Sequence, residues 1–188
     1  MNNKEKDENL ISIIVNCYNG EKFLKTCIQS ILQQTYRNFE IIFWDNKSTD
    51  QSKKILKNFS DNRIHYFEAE KFTKLYEARN LAIKKAKGEF IAFLDVDDFW
   101  SSLKLEKQIK IFYANKKLTL VYSDCFIIRN KNQSKKIFAN TKLPTGKITQ
   151  NLLNFYRMPI LTVLIKKKLL DLKNLTKNMT LLEILIFL

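Results

Sequence analysis

Four short apolar runs, each followed by a helical periodicity, dominate the first hundred residues of this chain. Ile11–Val15, Phe39–Trp44, Ile64–Phe67 and Phe90–Leu94 are rich in β-branched and aromatic residues, the pattern of strands covered on both faces. Between them lie helical patterns. The first carries Phe23, Leu24, Cys27, Ile28, Ile31 and Leu32 on one face after the Tyr18-Asn19-Gly20 turn, and the second carries Ile55, Leu56 and Phe59. Ser48 and Gln51 have capping-box spacing and predict where that second helix opens. The spacing of Leu75, Ala78, Leu81, Ala82 and Ala86 predicts a helix over 75–87, stopping at Gly88 in a left-handed cap. A last pattern predicts a helix over Leu103–Ala114.

Alternation of this kind predicts an α/β layer on a mostly parallel sheet. Such sheets bind ligands in the crevice beyond the carboxyl ends of their strands. That rule points to Asn16–Asn19, Asp45-Asn46 and Asp95–Asp98, each a polar stretch directly after an apolar run.

Asp95-Val96-Asp97-Asp98 carries the most chemistry. Three carboxylates in four residues repel one another unless a cation or hydrogen-bond donors compensate. Hard divalent ions such as Mg²⁺ and Mn²⁺ take oxygen ligands and share them with substrate phosphates. The competing explanation is that one aspartate caps the helix at 103–114 while the others face water. No GxxxxGK[ST], GxGxxG or HExxH is present, and the single histidine, His65, lies inside a strand run, where a structural role is expected.

Taken in order, Ile11-Ser-Ile-Ile-Val-Asn-Cys-Tyr-Asn19, Trp44-Asp-Asn-Lys-Ser-Thr-Asp50, Ala78-Arg-Asn80 and Gly88-Glu-Phe-Ile-Ala-Phe-Leu-Asp-Val-Asp-Asp98 resemble family 2 glycosyltransferases. The resemblance spans roughly 10–165 and rests on four motifs in the right order. It implies a GT-A fold, a Rossmann-like three-layer α/β/α domain that binds a nucleoside diphosphate sugar, usually a UDP-sugar. By the same resemblance Cys17 and Tyr18 line the nucleobase, Asp45 accepts a hydrogen bond from it, and Arg79 and Asn80 pack below the diphosphate. Lys74 is placed as a basic phosphate contact. Asp95, Asp97 and Asp98 form the DxD-type element, with Asp97 and Asp98 as ribose and Mn²⁺ or Mg²⁺ contacts. Three positions depart from the family pattern: Asn16 stands for a proline, Asn46-Lys47 for Asp-Gly, and Lys71-Phe-Thr-Lys74 for a stretch that carries glycines.

The resemblance also implies inverting transfer, in which an acceptor hydroxyl attacks the anomeric carbon as the diphosphate leaves. The implied acceptor is a cell-surface glycan or a lipid-linked sugar. An ionised carboxylate must take the hydroxyl proton. The family draws that base from a Glu-Asp or Asp motif after a further strand, here matched by Arg157–Lys166. No Glu-Asp pair follows, and Asp171 and Glu183 are the only acids beyond Asp124, so the catalytic base is unassigned. The reading divides the chain into a flexible 1–9, a nucleotide-sugar-binding domain over 10–165 and an atypical or truncated tail over 166–188. The apolar end, Met179–Leu188, is far short of the ~20 residues a membrane span needs. The alternative to an active transferase is a truncated remnant that binds nucleotide sugar without efficient transfer.

Charge is unevenly spread along the chain. Residues 1–100 hold 16 Lys/Arg against 15 Asp/Glu, and residues 101–188 hold 17 against 4, so the rear carries +13 of the total +14. A basic rear invites an anionic membrane surface or a nucleic acid. Its aromatics Phe112, Tyr113, Tyr122 and Phe126 fit core packing better than base stacking, which ranks nucleic acid last. A general bias toward Lys, Asn and Ile explains many of these lysines as solvated. Three cysteines without CxxC spacing read as buried reduced thiols, and the charged start, MNNKEKDENL, is no signal peptide. A cytosolic protein is expected, with peripheral contact at the inner membrane face.

Overall fold

The computed structural model describes residues 9–129, 134–146 and 158–170. Its chain order is β1 (Ile11–Cys17), α1 (Leu24–Leu32), β2 (Phe39–Asp45), α2 (Ser52–Lys57), β3 (Ile64–Glu68), α3 (Leu75–Ile83), β4 (Phe90–Asp95) and α4 (Lys104–Ala114). Then follow β5 (Leu120–Val121), a β6–β7 hairpin (Phe126–Arg129, Ser134–Ile137) and β8 (Leu164–Lys166), which is flanked by short 3-10 turns. The six-stranded sheet runs β3-β2-β1-β4-β8-β5. β3, β2, β1 and β4 are parallel, while β8 runs antiparallel to both its neighbours.

Strand alternation sends side chains to two cores. Ile11, Ile13, Val15, Phe39, Ile41, Phe43, Ala92 and Leu94 face α1, α2 and α4 through Cys27, Ile28, Leu56, Leu105 and Ile109. Ile14, Ile42, Trp44, Ile91 and Phe93 face α3 through Ala78, Ala82 and Ile83. The two alanines let α3 lie close to the sheet. The result is the three-layer α/β/α sandwich with a mostly parallel sheet that the sequence predicts. Burying a Phe or Ile side chain contributes about 1.5–3 kcal/mol, so the fully buried Phe43 and Phe93 anchor one core each.

Four local expectations are corrected. Phe23 is half exposed rather than on the buried face, because α1 opens only at Leu24. Ser48 caps nothing: α2 starts at Ser52, whose N–H bonds Asp50 Oδ1 at 2.9 Å. The Ser48 hydroxyl oxygen instead accepts the Asn19 N–H at 3.0 Å. The helix expected over 75–87 ends at Ile83, and Gly88 has no positive φ. Glycine is needed there because a Cβ would stand 2.5 Å from the Leu10 carbonyl oxygen and 2.7 Å from the Ser12 nitrogen. Finally, the strand matched to 157–166 is only Leu164–Lys166, preceded by a 3-10 turn over Ile160–Thr162.

Cys17 and Cys27 are buried free thiols, as expected, and Cys125 is partly buried. Of the rear aromatics, Phe112 and Tyr122 pack on the cores while Tyr113 and Phe126 are exposed. His65 is paired with the buried Glu40 at 3.5 Å on the sheet, a structural placement. The acids Asp171 and Glu183 and the apolar end 179–188 lie outside the described residues.

Candidate donor site at the carboxyl edge of the sheet

The order β3-β2-β1-β4 makes the gap between β1 and β4 the point where the chain reverses its direction of winding. The register places the singled-out residues along that edge. Cys17 pairs with Asp45, Asn16 with Asp95, and Asp45 with Glu68. Each strand runs one or two residues past its apolar core, because the ladder continues through these polar ends.

Asp45 is buried, and each of its carboxylate oxygens accepts one hydrogen bond. Its Oδ1 accepts the Ser48 N–H at 2.8 Å, and its Oδ2 accepts the Tyr66 hydroxyl at 2.9 Å. That hydroxyl is held protonated by burial and by Asp45, with its pKa raised. Each carboxylate oxygen keeps a second lone pair, so Asp45 can still accept from a ligand. Cys17 closes the same edge: its carbonyl accepts the Asn46 N–H at 2.8 Å. Burial pushes the Cys17 thiol up, which favours its protonated form.

Tyr18 leaves the strand and is 52% exposed, its ring 4.7 Å from that of Phe72, which is 58% exposed. Asn19 takes a left-handed φ of 52° and its side chain accepts the Thr49 N–H at 2.8 Å. Gly20 follows against Val96, where a Cβ would meet Val96 Cγ2 at 2.7 Å. The loop after β1 is thereby fastened both to the loop after β2 and to the Asp95–Asp98 turn.

The second half of the edge belongs to the acids and α3. Arg79 Nη2 lies 2.6 and 2.7 Å from the two oxygens of Asp95. Asn80, one residue on, is half-buried, and Lys74 precedes α3 on the surface. Asp97 is exposed and Asp98 half-buried. Burial, with Asp97 and Asp95 nearby, pushes the Asp98 carboxyl up to about 6. None of the three acids caps α4, whose leading residue is Leu103 and which has no side-chain cap, so the capping explanation fails.

Among the described residues no three His, Cys, Asp or Glu side chains converge as a ready-made metal cage. With Asp95 committed to Arg79, Asp97 and Asp98 remain. Two carboxylates completed by substrate phosphates and water is a usual Mg²⁺ or Mn²⁺ arrangement. Burial first, and the Asp97 and Asp95 charges second, disfavour the ionised Asp98, and a divalent cation at this pair would offset both. Two features were missed from sequence. One is the Phe72 ring beside Tyr18; the other is the buried Asn46 side chain, which bonds Thr73 through both of its ends. Nothing in local periodicity marks either.

Residues 12–171 match glycosyl transferase family 2. The UDP-Glc:alpha-D-GlcNAc-diphosphoundecaprenol beta-1,3-glucosyltransferase WfgD of Escherichia coli is 39% identical over 145 residues, 77% of this chain and 57% of that enzyme. The chain spans about half the length of the curated relatives it matches. Among solved structures, S. aureus TarS 1–349 in complex with UDP-GlcNAc superposes with a TM-score of 0.65 at 23% identity, covering 85% of this chain and 46% of that one. The mannosyltransferase PcManGT from Pyrobaculum calidifontis, in complex with GDP-Man and Mn²⁺, gives 0.63 at 18% identity over 86% and 45%. These likenesses establish the GT-A fold.

Proposed function

The chain belongs to glycosyl transferase family 2, and from that premise we propose that it holds a UDP-sugar along the β1–β4 carboxyl edge for transfer to a lipid-linked or cell-surface glycan hydroxyl. The observation that carries this reading is the alignment of Cys17 with Asp45 and of Asn16 with Asp95 across adjacent strands. That register puts the Asp45 strand end and the Asp95–Asp98 carboxylates side by side on one edge. WfgD is named for a UDP-Glc donor and a diphosphoundecaprenol-linked acceptor, which supports a lipid-linked sugar as the acceptor class.

In this reading Tyr18 offers its ring face to the base, and Asp45 accepts from a base N–H. Arg79 fixes the Asp95 carboxylate while Asn80 supports the same helix turn. Lys74 supplies charge toward the diphosphate, and Asp97 and Asp98 hold a divalent ion with the ribose and phosphates. A divalent ion held there would neutralise the charge of the departing diphosphate. Displacement by the acceptor hydroxyl inverts the anomeric centre. No described acid is assigned as the base that takes its proton.

No helix among the described residues is long and apolar enough to cross a membrane. The basic rear is read as a peripheral contact with anionic lipid at the inner face. Nucleic acid ranks last in this reading: Phe112 is a core residue and Tyr122 packs against a core, although Tyr113 and Phe126 are exposed.

The test is thermal stabilisation by UDP-sugars with and without Mn²⁺, for the natural chain and Asp97→Ala/Asp98→Ala. A Mn²⁺-dependent rise in Tm that the variant lacks is expected. No rise with any nucleoside diphosphate sugar, from folded protein, would overturn the donor site.

A further inference from the structure

Two large aromatic rings, Tyr18 and Phe72, stand more than half exposed beside the buried Asp45 edge. Their centroids are 4.7 Å apart and their planes tilt by 58°. Covering that much apolar ring surface would gain free energy. The loop that carries Phe72 is not free to hide it. At one end the Ala69 N–H donates to the Asp45 carbonyl at 2.8 Å. At the other, Asn46 clips Thr73: Asn46 Oδ1 accepts the Thr73 N–H and hydroxyl, both at 3.1 Å, and Asn46 Nδ2 donates to the Thr73 carbonyl at 2.7 Å. Asn46 is itself 6% exposed, so the clip is a buried polar contact that uses three of the four hydrogen-bonding sites of the amide.

We propose that Phe72 is a positioning residue for nucleobase recognition: held by the Asn46–Thr73 clip, it packs on Tyr18 and fixes that ring where a pyrimidine base of the donor stacks. The inference rests on the donor-site reading above and deepens it. A 4.7 Å centroid separation leaves no room for a base between the rings, so the base takes the face of Tyr18 turned away from Phe72. A tilted aromatic pair of this kind stabilises its members beyond area burial. Tyr18 therefore meets the base pre-oriented, without the rotamer loss that a free surface tyrosine would suffer. Two departures from the family pattern are thereby coupled: Asn46 replaces one loop residue, and Phe72 lies in the loop segment that Asn46 secures.

The experiment is calorimetric binding of UDP and, separately, of inorganic pyrophosphate, each with Mn²⁺, to the full chain and to Phe72→Ala, Phe72→Tyr and Asn46→Ala. Pyrophosphate has the charge but no base. Phe72→Ala and Asn46→Ala are expected to weaken UDP about 2–10-fold while leaving pyrophosphate within about 2-fold. Phe72→Tyr, which keeps the ring, restores UDP binding. Unchanged UDP affinity in Phe72→Ala overturns the inference, and so does an equal loss for both ligands, which would mark a loop that merely supports the fold. If the natural chain binds pyrophosphate but not UDP, or neither, the donor-site reading itself falls.

Discussion

Arg79 holds Asp95 through a single guanidinium nitrogen, Nη2, placed 2.6 and 2.7 Å from the two carboxylate oxygens. The Arg79 side chain is 14% exposed and that of Asp95 30%, and the Arg79 Nε is buried without a hydrogen-bond partner among the described residues. Losing either partner strands the other's charge in a half-dry environment. Arg79→Ala and Asp95→Ala are each expected to cost about 1–3 kcal/mol, below the penalty of a fully buried pair because water reaches Asp95. Losing both should cost less than the sum. Urea unfolding of the four proteins of this cycle measures the coupling, expected at about 1–2 kcal/mol. Strict additivity would mean that the contact contributes no net stability.

Gly88 offers a sharper steric test. The atoms its Cβ would meet are the Leu10 carbonyl oxygen and the Ser12 nitrogen, backbone atoms of and beside β1 that cannot step aside as a side-chain tip can. The Gly88 N–H also donates to Ser12 Oγ at 2.8 Å, and that hydroxyl donates to the buried Glu40 at 2.6 Å. Gly88→Ala must push the chain off β1 and loosen this network. A loss of about 1–3 kcal/mol is expected, read as a lower urea midpoint. An unchanged midpoint would show that the two segments separate freely.

That glycine illustrates what sequence can and cannot reveal. A glycine closing a helical pattern reads locally as a cap, yet its reason lies in residues 76 and more positions earlier. Ser48 failed in the same way: its spacing to Gln51 is a local signal, but its hydroxyl serves Asn19 across a loop. The strands were legible because burial on both faces leaves unbroken apolar runs. The polar residues ending those runs also located Asp45, Arg79's partner Asp95, and Tyr18. The Asn46–Thr73 clip was not legible, since it joins residues 27 apart and has no periodic signature.

Acid should expose the ion pairs beside Asp45. Lys53 and Lys47 hold the Glu68 carboxyl down to about 2, from an ordinary value of 4.5. The contacts are 2.7 and 3.2 Å long. Between these pH values the unfolded chain binds a proton that the folded one refuses. The stabilisation is thus complete above about pH 4.5, declines as pH falls toward 2, and vanishes below it. Because all three side chains are well exposed, the effect is small and weakens with salt. Glu68→Gln should be less stable than the natural chain at pH 7 and equal to it near pH 2. A difference that persists undiminished at pH 2 would locate the effect in packing rather than charge.

Lys47 occupies a backbone conformation that suits glycine. Its φ is 69°, in the left-handed region where a Cβ crowds the following carbonyl, and it directly follows the Asn46 that clips Thr73. On an ordinary exposed turn, alanine is more stabilising than glycine because it restricts the unfolded chain. Here the order should reverse. Lys47→Gly and Lys47→Ala both remove the Glu68 partner, so that loss cancels between them. What remains is the backbone term, which favours Gly by about 1 kcal/mol. Thermal or urea unfolding of the pair reads it directly. Alanine equal to or above glycine would mean that the loop relaxes to negative φ at little cost, and Asn46→Ala would then be expected to release Thr73 just as easily.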